Sequence, residues 1–229
     1  MKEVSVIIPA YNEAGRIGET IRAVRGIAEV EEILVVDDAS SDQTTAEASA
    51  AGARVVRQDF NQGKGAALSR GIREARGDIL VLLDADLGAS AAEARKLILP
   101  ILAGKADLTV ARFPRARRKG GFGLVKGLAR RGIRYFTGLE MESPISGQRA
   151  LRKNVAPSIL PLAPGFGAEV AMTIAAARAG LRVQEVPTNM THRETGRDLA
   201  GFWHRGRQFA DIARTLWHCY RRYGPRGER

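Results

Sequence analysis

The chain of 229 residues has a single cysteine, Cys219, and only 6% of its residues are aromatic. One cysteine excludes an internal disulfide and is typical of a protein from a reducing compartment. No stretch approaches the ~20 consecutive apolar residues that a membrane-spanning helix needs, and no signal peptide opens the chain. Together with a hydrophobic content of 45%, these absences predict a cytoplasmic protein with one full hydrophobic core.

Acidic residues are missing from positions 108–139, although the chain has 25 of them. The same stretch carries nine basic residues, namely Arg112, Arg115, Arg117, Arg118, Lys119, Lys126, Arg130, Arg131 and Arg134. Like charges so close in sequence repel one another unless water or an anion compensates them. We interpret most of them as a solvated face, and we expect two or three to bind an anionic ligand or an anionic membrane leaflet.

The basic character of the chain, with a pI near 10.5, also fits a nucleic-acid binding protein, because positive charge alone supplies affinity for phosphates. The sequence contains no recognised nucleic-acid binding module and few aromatic residues for stacking on bases. The first half of the chain is also rich in acids. We therefore keep nucleic-acid binding as a competing class and expect no nucleic acid among the partners.

Four apolar segments in the first half each run into a polar cluster. The pairs are 4–8 into 9–13, 32–36 into 37–42, 54–56 into 61–67, and 79–83 into 84–86. A helical pattern follows each cluster, and alternating strands and helices are typical of a parallel sheet. Ligands of such sheets bind at the carboxyl ends of the strands, so the clusters predict one composite site at that edge.

Two carboxylates, Asp84 and Asp86, end the last of these strands. Ligands that offer only oxygen suit a hard divalent cation such as Mg²⁺ or Mn²⁺, which in turn suits a diphosphate. The alternative is that the two acids merely cap the following helix. Lys64 lies between Gly63 and Gly65, which permit close approach of a phosphate. The surrounding residues match neither a P-loop nor a dinucleotide fingerprint, which argues against a kinase and a dehydrogenase.

The ordered set of motifs resembles the family two glycosyltransferases. The motifs are Pro-x-Tyr-Asn-Glu at 9–13, Val-Asp-Asp-x-Ser-x-Asp at 36–42, Asn-x-Gly-Lys-Gly-x-Ala at 61–67, Asp-Ala-Asp at 84–86, Ser-Gly-Gln-Arg-Ala at 146–150 (Ser-Gly-Phe-Arg-Ala in the family) and Glu-Val-Pro at 185–187. Residues 192–199 are similar to a stretch of the polyprenyl-phosphate, dolichol-phosphate mannose synthase-like branch. The resemblance implies a GT-A fold of the α/β class, a mainly parallel mixed sheet between helices, with strand order 3-2-1-4 in the first half. It also implies a catalytic domain over 1–200, to which a basic amphipathic helix and tail at 201–229 belong.

The resemblance further implies an inverting, metal-dependent hexosyltransferase that uses a UDP- or GDP-linked sugar. It assigns the nucleotide sugar to Pro9, Tyr11, Glu13, Asp38, Lys64, Asp84 and Asp86, and gives Asp86 the catalytic metal, Mg²⁺ or Mn²⁺, with Asp84 as second ligand. His192 is the candidate third ligand, since the branch often has Gln where this chain has Gly88; the alternative is a merely exposed histidine. Arg197 and Asp198 stand where the branch has Ser-Lys, which puts contact with a lipid acceptor in question.

The acceptor is left open between two classes. A polyprenyl phosphate at the inner face of the membrane is our main expectation, because the basic stretch needs an anion; the alternative is a soluble hydroxyl acceptor such as phosphoglycerate or a small sugar. The resemblance carries Arg112 and Arg131 over as acceptor-binding residues, with Ser146 and Arg149 beside them. A hydroxyl acceptor needs a base, for which Glu169 is the candidate. The alternative role of Glu169 is first-turn helix electrostatics.

The C-terminal segment shows apolar residues at helical spacing: Phe202, Phe209, Ile212, Leu216 and Tyr220. Arginines occupy much of the remainder. The pattern predicts an amphipathic helix that packs this stripe on the domain. An interfacial helix in contact with a membrane is the alternative, since aromatic residues and arginine suit the headgroup region.

Overall fold

The computed structural model describes residues 3–114, 123–162, 165–191 and 199–224. Within these ranges one sheet contains seven strands: β1 (Val4–Ala10), β2 (Val30–Asp37), β3 (Arg54–Arg57), β4 (Ile79–Leu82), β5 (Leu108–Arg112), β6 (Arg149–Arg152) and β7 (Val183–Pro187). Their order is β3-β2-β1-β4-β6-β5-β7. The predicted order 3-2-1-4 is therefore found in the first half.

Helices connect the strands on both faces of the sheet. They are α1 (Ile17–Arg25), α2 (Thr44–Ala50), α3 (Lys64–Glu74), α4 (Arg95–Leu102), α5 (Gly123–Thr137), α6 (Ala156–Ile159), α7 (Ala168–Arg178) and α8 (Leu199–Tyr223), with short 3₁₀ turns at Gly88–Ala94, Lys153–Val155 and Gly165–Gly167. In the described ranges, no helix combines the length and the apolarity needed to cross a membrane.

The parallel pairing brings the strand ends into line. Ile7 of β1 pairs with Leu82 of β4, and Ala10 pairs with Asp37 of β2. The loops that follow β1, β2 and β4 therefore begin side by side. β6 runs antiparallel between β4 and β5, so the segment just before β6 also arrives at this edge. This antiparallel insertion was not part of the predicted first-half order.

Alternate residues of the central strands face two separate layers of the core. Ile7, Leu34 and Leu80 belong to the layer covered by α3, α5, α7 and α8. Their neighbours Ile8 and Val35 belong to the layer covered by α1 and α4. Because both faces are covered, the strands are almost continuously apolar, as buried parallel strands are.

Helix α8 packs on the domain with part of the predicted stripe, since Ile212 is buried and Leu216 packs against the core. Ile212, Thr215 and Cys219 are buried against the body of the protein, while Phe209 and Tyr220 are 44% and 53% exposed. The spacing therefore predicted the helix and the middle of its buried face, but not the exposure of Phe209 and Tyr220. The buried face is chosen by close contacts with other helices: a Cβ on Gly132 of α5 would lie 2.3 Å from Leu216 Cδ2.

Candidate functional site

The loops after β1 and β2 are tied together by hydrogen bonds between main chain and side chain. The Asn12 N–H donates to Ser40 Oγ at 2.9 Å, and the Ser41 N–H donates back to Asn12 Oδ1 at 2.9 Å. Asn12 and Ala39 adopt positive φ angles of 55° and 63°. Positive φ angles are uncommon for residues other than glycine. Such backbone strain persists only where the surrounding contacts maintain it, and it clusters at functional sites.

Asp38 is buried and holds the loop that leads into α3. Its carboxylate accepts the N–H of Gln62 at 2.8 Å and of Gly63 at 2.7 Å, together with the side-chain amide of Gln58. Gly63 has φ +86°, a conformation that glycine adopts without strain. Asp38 therefore fixes the start of α3, where Lys64 lies. Its predicted contact with a nucleotide stays a prediction.

Lys64 and Asp84 form an ion pair at the edge of the sheet. Lys64 Nζ donates to Asp84 Oδ1 at 2.6 Å and lies 3.8 Å from Glu169 Oε1. Desolvation alone would lower the pKa of Lys64, but the charges of Asp84, Glu169 and Asp86 raise it well above its usual value. The ammonium is thus held charged among three carboxylates. The other oxygen of Asp84 accepts the side-chain amide of Gln148 at 2.7 Å.

Asp86 and Glu13 complete the acidic part of this edge. Desolvation raises the pKa of Glu13, and the nearby charges of Asp86 and Asp84 raise it further, although the ion pair with Arg16 acts against them. The segment between the two aspartates is fixed by Thr20, which is fully buried: its hydroxyl donates to the Ala85 carbonyl at 2.8 Å. The structure therefore brings the predicted donor-site acids together.

The donor set suits a hard divalent cation, because it consists of carboxylate oxygens beside the place where a phosphate can approach. No group of three His, Cys, Asp or Glu residues able to hold a metal was found in the described part of the chain. Both oxygens of Asp84 already accept hydrogen bonds. Asp84 and Asp86 stay the predicted carboxylate ligands, and ligand oxygens would have to complete the shell. His192 lies outside the described residues.

A cavity of about 1340 Å³ opens beside this edge. Lys64, Asp84 and Glu169 line one part of it, and basic residues of β5 and α5 line another. The side chain of Glu169 is only 14% exposed and belongs to the first turn of α7. A carboxylate in such a place can accept a proton from a hydroxyl group that enters the cavity.

Both predicted acceptor arginines, Arg112 and Arg131, line the cavity. Arg112 Nη1 is paired with Glu142 Oε1 at 2.9 Å. Lys126 lies there as well; desolvation and the charge of Arg130 lower the pKa of its ammonium. An anion bound at this wall of the cavity would relieve that penalty.

Ser146 and Arg149 are both buried, although Ser146 contributes to the lining of the cavity. The Arg149 guanidinium donates to the Ser146 carbonyl and to Thr173 Oγ1, both at 2.9 Å. Burial lowers its pKa to about 10, against the opposing charges of Glu169 and Glu185. A fully enclosed side chain cannot touch an acceptor in the cavity. In this structure Arg149 supports the loop before β6, which argues against its predicted contact with an acceptor, whereas the contact predicted for Ser146 stays a prediction.

The two remaining donor-site predictions, Pro9 and Tyr11, lie at the expected edge. Pro9 pairs with Val36 inside the sheet, and Tyr11 is 50% exposed just beyond the end of β1. An exposed aromatic ring at this edge is available for stacking on a flat ligand. Their contact with a nucleotide stays a prediction.

Three positioning side chains escaped sequence reasoning: Thr20, Gln148 and Glu185. Glu185 accepts the N–H groups of Glu142 and Ser143 at 2.8 and 2.6 Å, which fixes the loop bordering the cavity. Glu185 belongs to the Glu-Val-Pro motif, but the motif does not reveal which main-chain groups its carboxylate binds. Nothing in the sequence indicates the role of Thr20, since a threonine within a helical pattern is common.

The chain belongs to glycosyl transferase family 2, whose family model matches residues 5–156. This confirms the family predicted from the ordered motifs. Glucosyl-3-phosphoglycerate synthase of Mycolicibacterium paratuberculosis is 31% identical over 197 residues, which are 76% of this chain and 59% of that protein. Dolichol-phosphate mannosyltransferase of Pyrococcus furiosus is 31% identical over 208 residues, which are 85% of this chain and 58% of that protein.

Solved structures agree with these relatives. Glucosyl-3-phosphoglycerate synthase from Mycobacterium tuberculosis, crystallised with Mn²⁺, UDP-glucose and phosphoglyceric acid, superposes with a TM-score of 0.77 at 28% identity, covering 94% of this chain and 80% of that one. The likeness confirms the predicted GT-A fold. The chain spans only about three fifths of the length of the synthases that it matches by sequence.

Proposed function

We propose that this chain transfers a hexose from a UDP-linked sugar to a small phosphorylated acceptor of the phosphoglycerate type. The observation that supports this proposal most directly is the lining of one cavity. Lys64, Asp84 and Glu169 line one part of it, and Arg112 and Lys126 line another. One side supplies carboxylates and a cation for a nucleotide diphosphate. The other supplies cations for a second, anionic substrate, with a carboxylate between them.

The reaction follows from these groups. A hydroxyl oxygen of the acceptor attacks the anomeric carbon, the bond from that carbon to the diphosphate oxygen breaks, and UDP leaves, with the inversion that the family resemblance implies. Glu169 receives the proton of the attacking hydroxyl. Lys64 lies near the place where negative charge develops on the leaving diphosphate.

A divalent cation, Mg²⁺ or Mn²⁺, fits the same site and would be held by Asp86, with the diphosphate oxygens completing its shell. When bound, it supplies further neutralisation of the leaving diphosphate. The solved relatives support this choice, because they were crystallised with UDP and Mn²⁺ or Mg²⁺. His192 stays a candidate for the remaining protein ligand.

The acceptor proposed here reverses the order of our sequence-based expectation, in which polyprenyl phosphate came first. The synthases that resemble the chain act, by name, on phosphoglycerate. The negative charge of such an acceptor accounts for the basic wall as well as a lipid phosphate does. The cationic stretch alone could not separate the two.

Polyprenyl phosphate remains a second candidate because of one feature of α8. Trp217 and Tyr220 are each 53% exposed, and Arg221 stacks on the Trp217 ring at 4.9 Å. Exposed aromatic rings beside arginines suit a membrane surface. The dolichol-phosphate mannosyltransferase relative agrees with this candidate.

The test is a direct assay of the purified chain. With Mn²⁺, UDP-glucose and 3-phosphoglycerate, we expect release of UDP and a product heavier than the acceptor by one hexose unit, detected by mass spectrometry. The Asp86→Ala variant serves as the inactive control. Turnover confined to polyprenyl phosphate in vesicles with a GDP- or UDP-sugar would replace the first candidate by the second. Absence of turnover with every pair would overturn both.

A further inference from the structure

Gln148, just before β6, is fully buried, and its side-chain amide is held at both ends. Its Nε2–H donates to Asp84 Oδ2 at 2.7 Å, while its Oε1 accepts from Ser146 Oγ at 3.3 Å. The main chain is held as well, since the Gln148 carbonyl accepts the Ala111 N–H of β5 at 2.9 Å. The amide therefore presents its donor to Asp84 from a fixed position.

Asp84 stands between two donors from different parts of the chain. Gln148 occupies Oδ2, and the Lys64 ammonium occupies Oδ1 at 2.6 Å. Rotation of a carboxylate exchanges its two oxygens. A buried and fixed donor on one oxygen consequently determines the direction in which the other oxygen points, and that direction is toward Lys64.

The residue type at 148 matters because Gln148 is fully buried and the side chain of Asp84 is only 25% exposed. The motif Ser-Gly-Gln-Arg-Ala resembles one that has phenylalanine at this position, and phenylalanine has no N–H to donate. A hydrogen bond from a buried amide to a carboxylate is stronger than one between neutral groups. Without it, Asp84 Oδ2 would lose a donor that the fold holds in a fixed position.

The neighbouring Gly147 allows this arrangement to be compact. A Cβ at that position would lie 2.9 Å from Lys64 Nζ and 3.4 Å from Asp84 Oδ2. Lys64 Nζ also lies 3.8 Å from Glu169 Oε1. The ammonium is thus held between the acid of the donor side and the candidate base.

We infer that Gln148 is a positioning residue, whose amide commits Asp84 to Lys64 and thereby holds the Lys64 ammonium at the floor of the cavity. Asp84 thereby has a role within the chain itself, in addition to the metal-binding role that the family resemblance implies for it.

The first test does not depend on any substrate. Gln148→Met keeps the length of the side chain and removes the amide, and Lys64→Met removes the ammonium. In a double-mutant cycle of urea unfolding we expect the two changes to be non-additive by about tenfold in the unfolding equilibrium constant. The exposed Gln184 of β7 supplies the matched control, since Gln184→Met and Lys64→Met should simply add. Additive behaviour of Gln148→Met and Lys64→Met would overturn the inference.

The second test rests on the proposed function and uses UDP with Mn²⁺ and 3-phosphoglycerate as calorimetric probes. Loss of a hydrogen bond to a charged group should weaken UDP binding of Gln148→Met by about tenfold. Binding of 3-phosphoglycerate should be unchanged, whereas a general folding defect would weaken both. Equal UDP affinity in wild type and Gln148→Met would count against the inference. If the wild type binds no UDP, the proposed function fails, and the unfolding cycle still decides the role of Gln148.

Should Gln148→Met not fold, Gln148→Asn takes its place in both measurements. It keeps an amide and is one methylene shorter, so it is too short to bridge to Asp84. The same outcomes support or overturn the inference.

Discussion

The two walls of the cavity are built in different ways. On the donor side, main-chain N–H groups are bound by buried or half-buried side chains, as in the bonds of Asp38 to Gln62 and Gly63. On the acceptor side, long cations meet acids in exposed pairs; in Arg134–Glu140, for example, the side chains are 71% and 75% exposed. Exposed pairs contribute little to stability, whereas buried networks specify one arrangement.

This contrast indicates which wall of the cavity tolerates substitution better. The donor wall is locked by bonds that span several loops, so that a change in one loop disturbs the others. The acceptor wall includes exposed cations, such as Arg134, that can be exchanged without disturbing the sheet. We therefore expect donor-side substitutions to be severe and acceptor-side substitutions to be graded, and the following predictions test this order.

The largest effect is expected for Asp86→Ala. Removing the carboxylate available to a divalent cation leaves the leaving diphosphate unscreened, and we expect turnover to fall by at least about 10³-fold, with metal-dependent UDP binding lost. Asp78→Ala, at the other end of the same strand, is the matched control for the loss of an acid. Activity of Asp86→Ala near wild-type level, or full wild-type activity in excess chelator, would contradict metal dependence.

Glu169→Gln tests the comparison of the donor and acceptor walls further, because Glu169 lies between the two walls. The change keeps size and hydrogen bonding but removes the base, so kcat with a hydroxyl acceptor should fall by about 10²–10⁴-fold. With a phosphate acceptor, already ionised, kcat should hardly change. The affinity for UDP is measured separately. An unchanged affinity indicates loss of the base alone, whereas a lowered affinity indicates damage to the donor site. Full activity on phosphoglycerate would remove Glu169 from the mechanism.

Smaller effects are expected for Arg112→Ala and Arg131→Ala on the acceptor wall. Losing one charge-assisted bond to an anion costs about 1.5–3 kcal/mol, so that kcat/KM for the acceptor should fall by roughly one to two decades. Donor affinity should stay the same. Arg73→Ala, an exposed arginine of α3, is the control for a change in net charge. Parallel losses of donor and acceptor binding would point to folding instead.

The smallest effect concerns an ion pair on the acceptor half of the sheet but away from the cavity. Hydrogen bonds from Arg182 hold the pKa of Asp107 down at about 2. A depressed pKa stabilises the fold above the unfolded value near 4, and this contribution is lost as the pH falls through 2. Since Arg182 is 57% exposed, we expect Asp107→Asn to lower the free energy of unfolding by only about 1 kcal/mol at pH 7.

Urea unfolding of wild type and Asp107→Asn at pH 7, 4 and 3 checks this prediction. The difference in the free energy of unfolding between the two proteins should shrink toward low pH. Asp59→Asn, which changes an exposed aspartate, should show no such difference from wild type. A difference that grows on acidification would reverse the assigned sign.

The sheet, the position of the site and the family could be predicted from the sequence, because the features that indicate them are local. Apolar strands ending in polar clusters, such as 79–83 before Asp84, predict a parallel sheet and one site at its carboxyl edge. The order of the motifs then indicated the family. The acceptor was not readable, because nine cations fit a lipid phosphate and phosphoglycerate equally well.

Contacts between distant segments were decided only by the tertiary structure. Gln148 and Asp84 are 64 positions apart, and they meet because β6 inserts antiparallel beside β4. In the same way Arg149, predicted at the acceptor, became a buried support, and the exposed and buried faces of α8 were set by α5 and α7. Periodicity determines that an element forms and which kinds of residue it carries; the packing of elements against one another determines which side chain each of them touches.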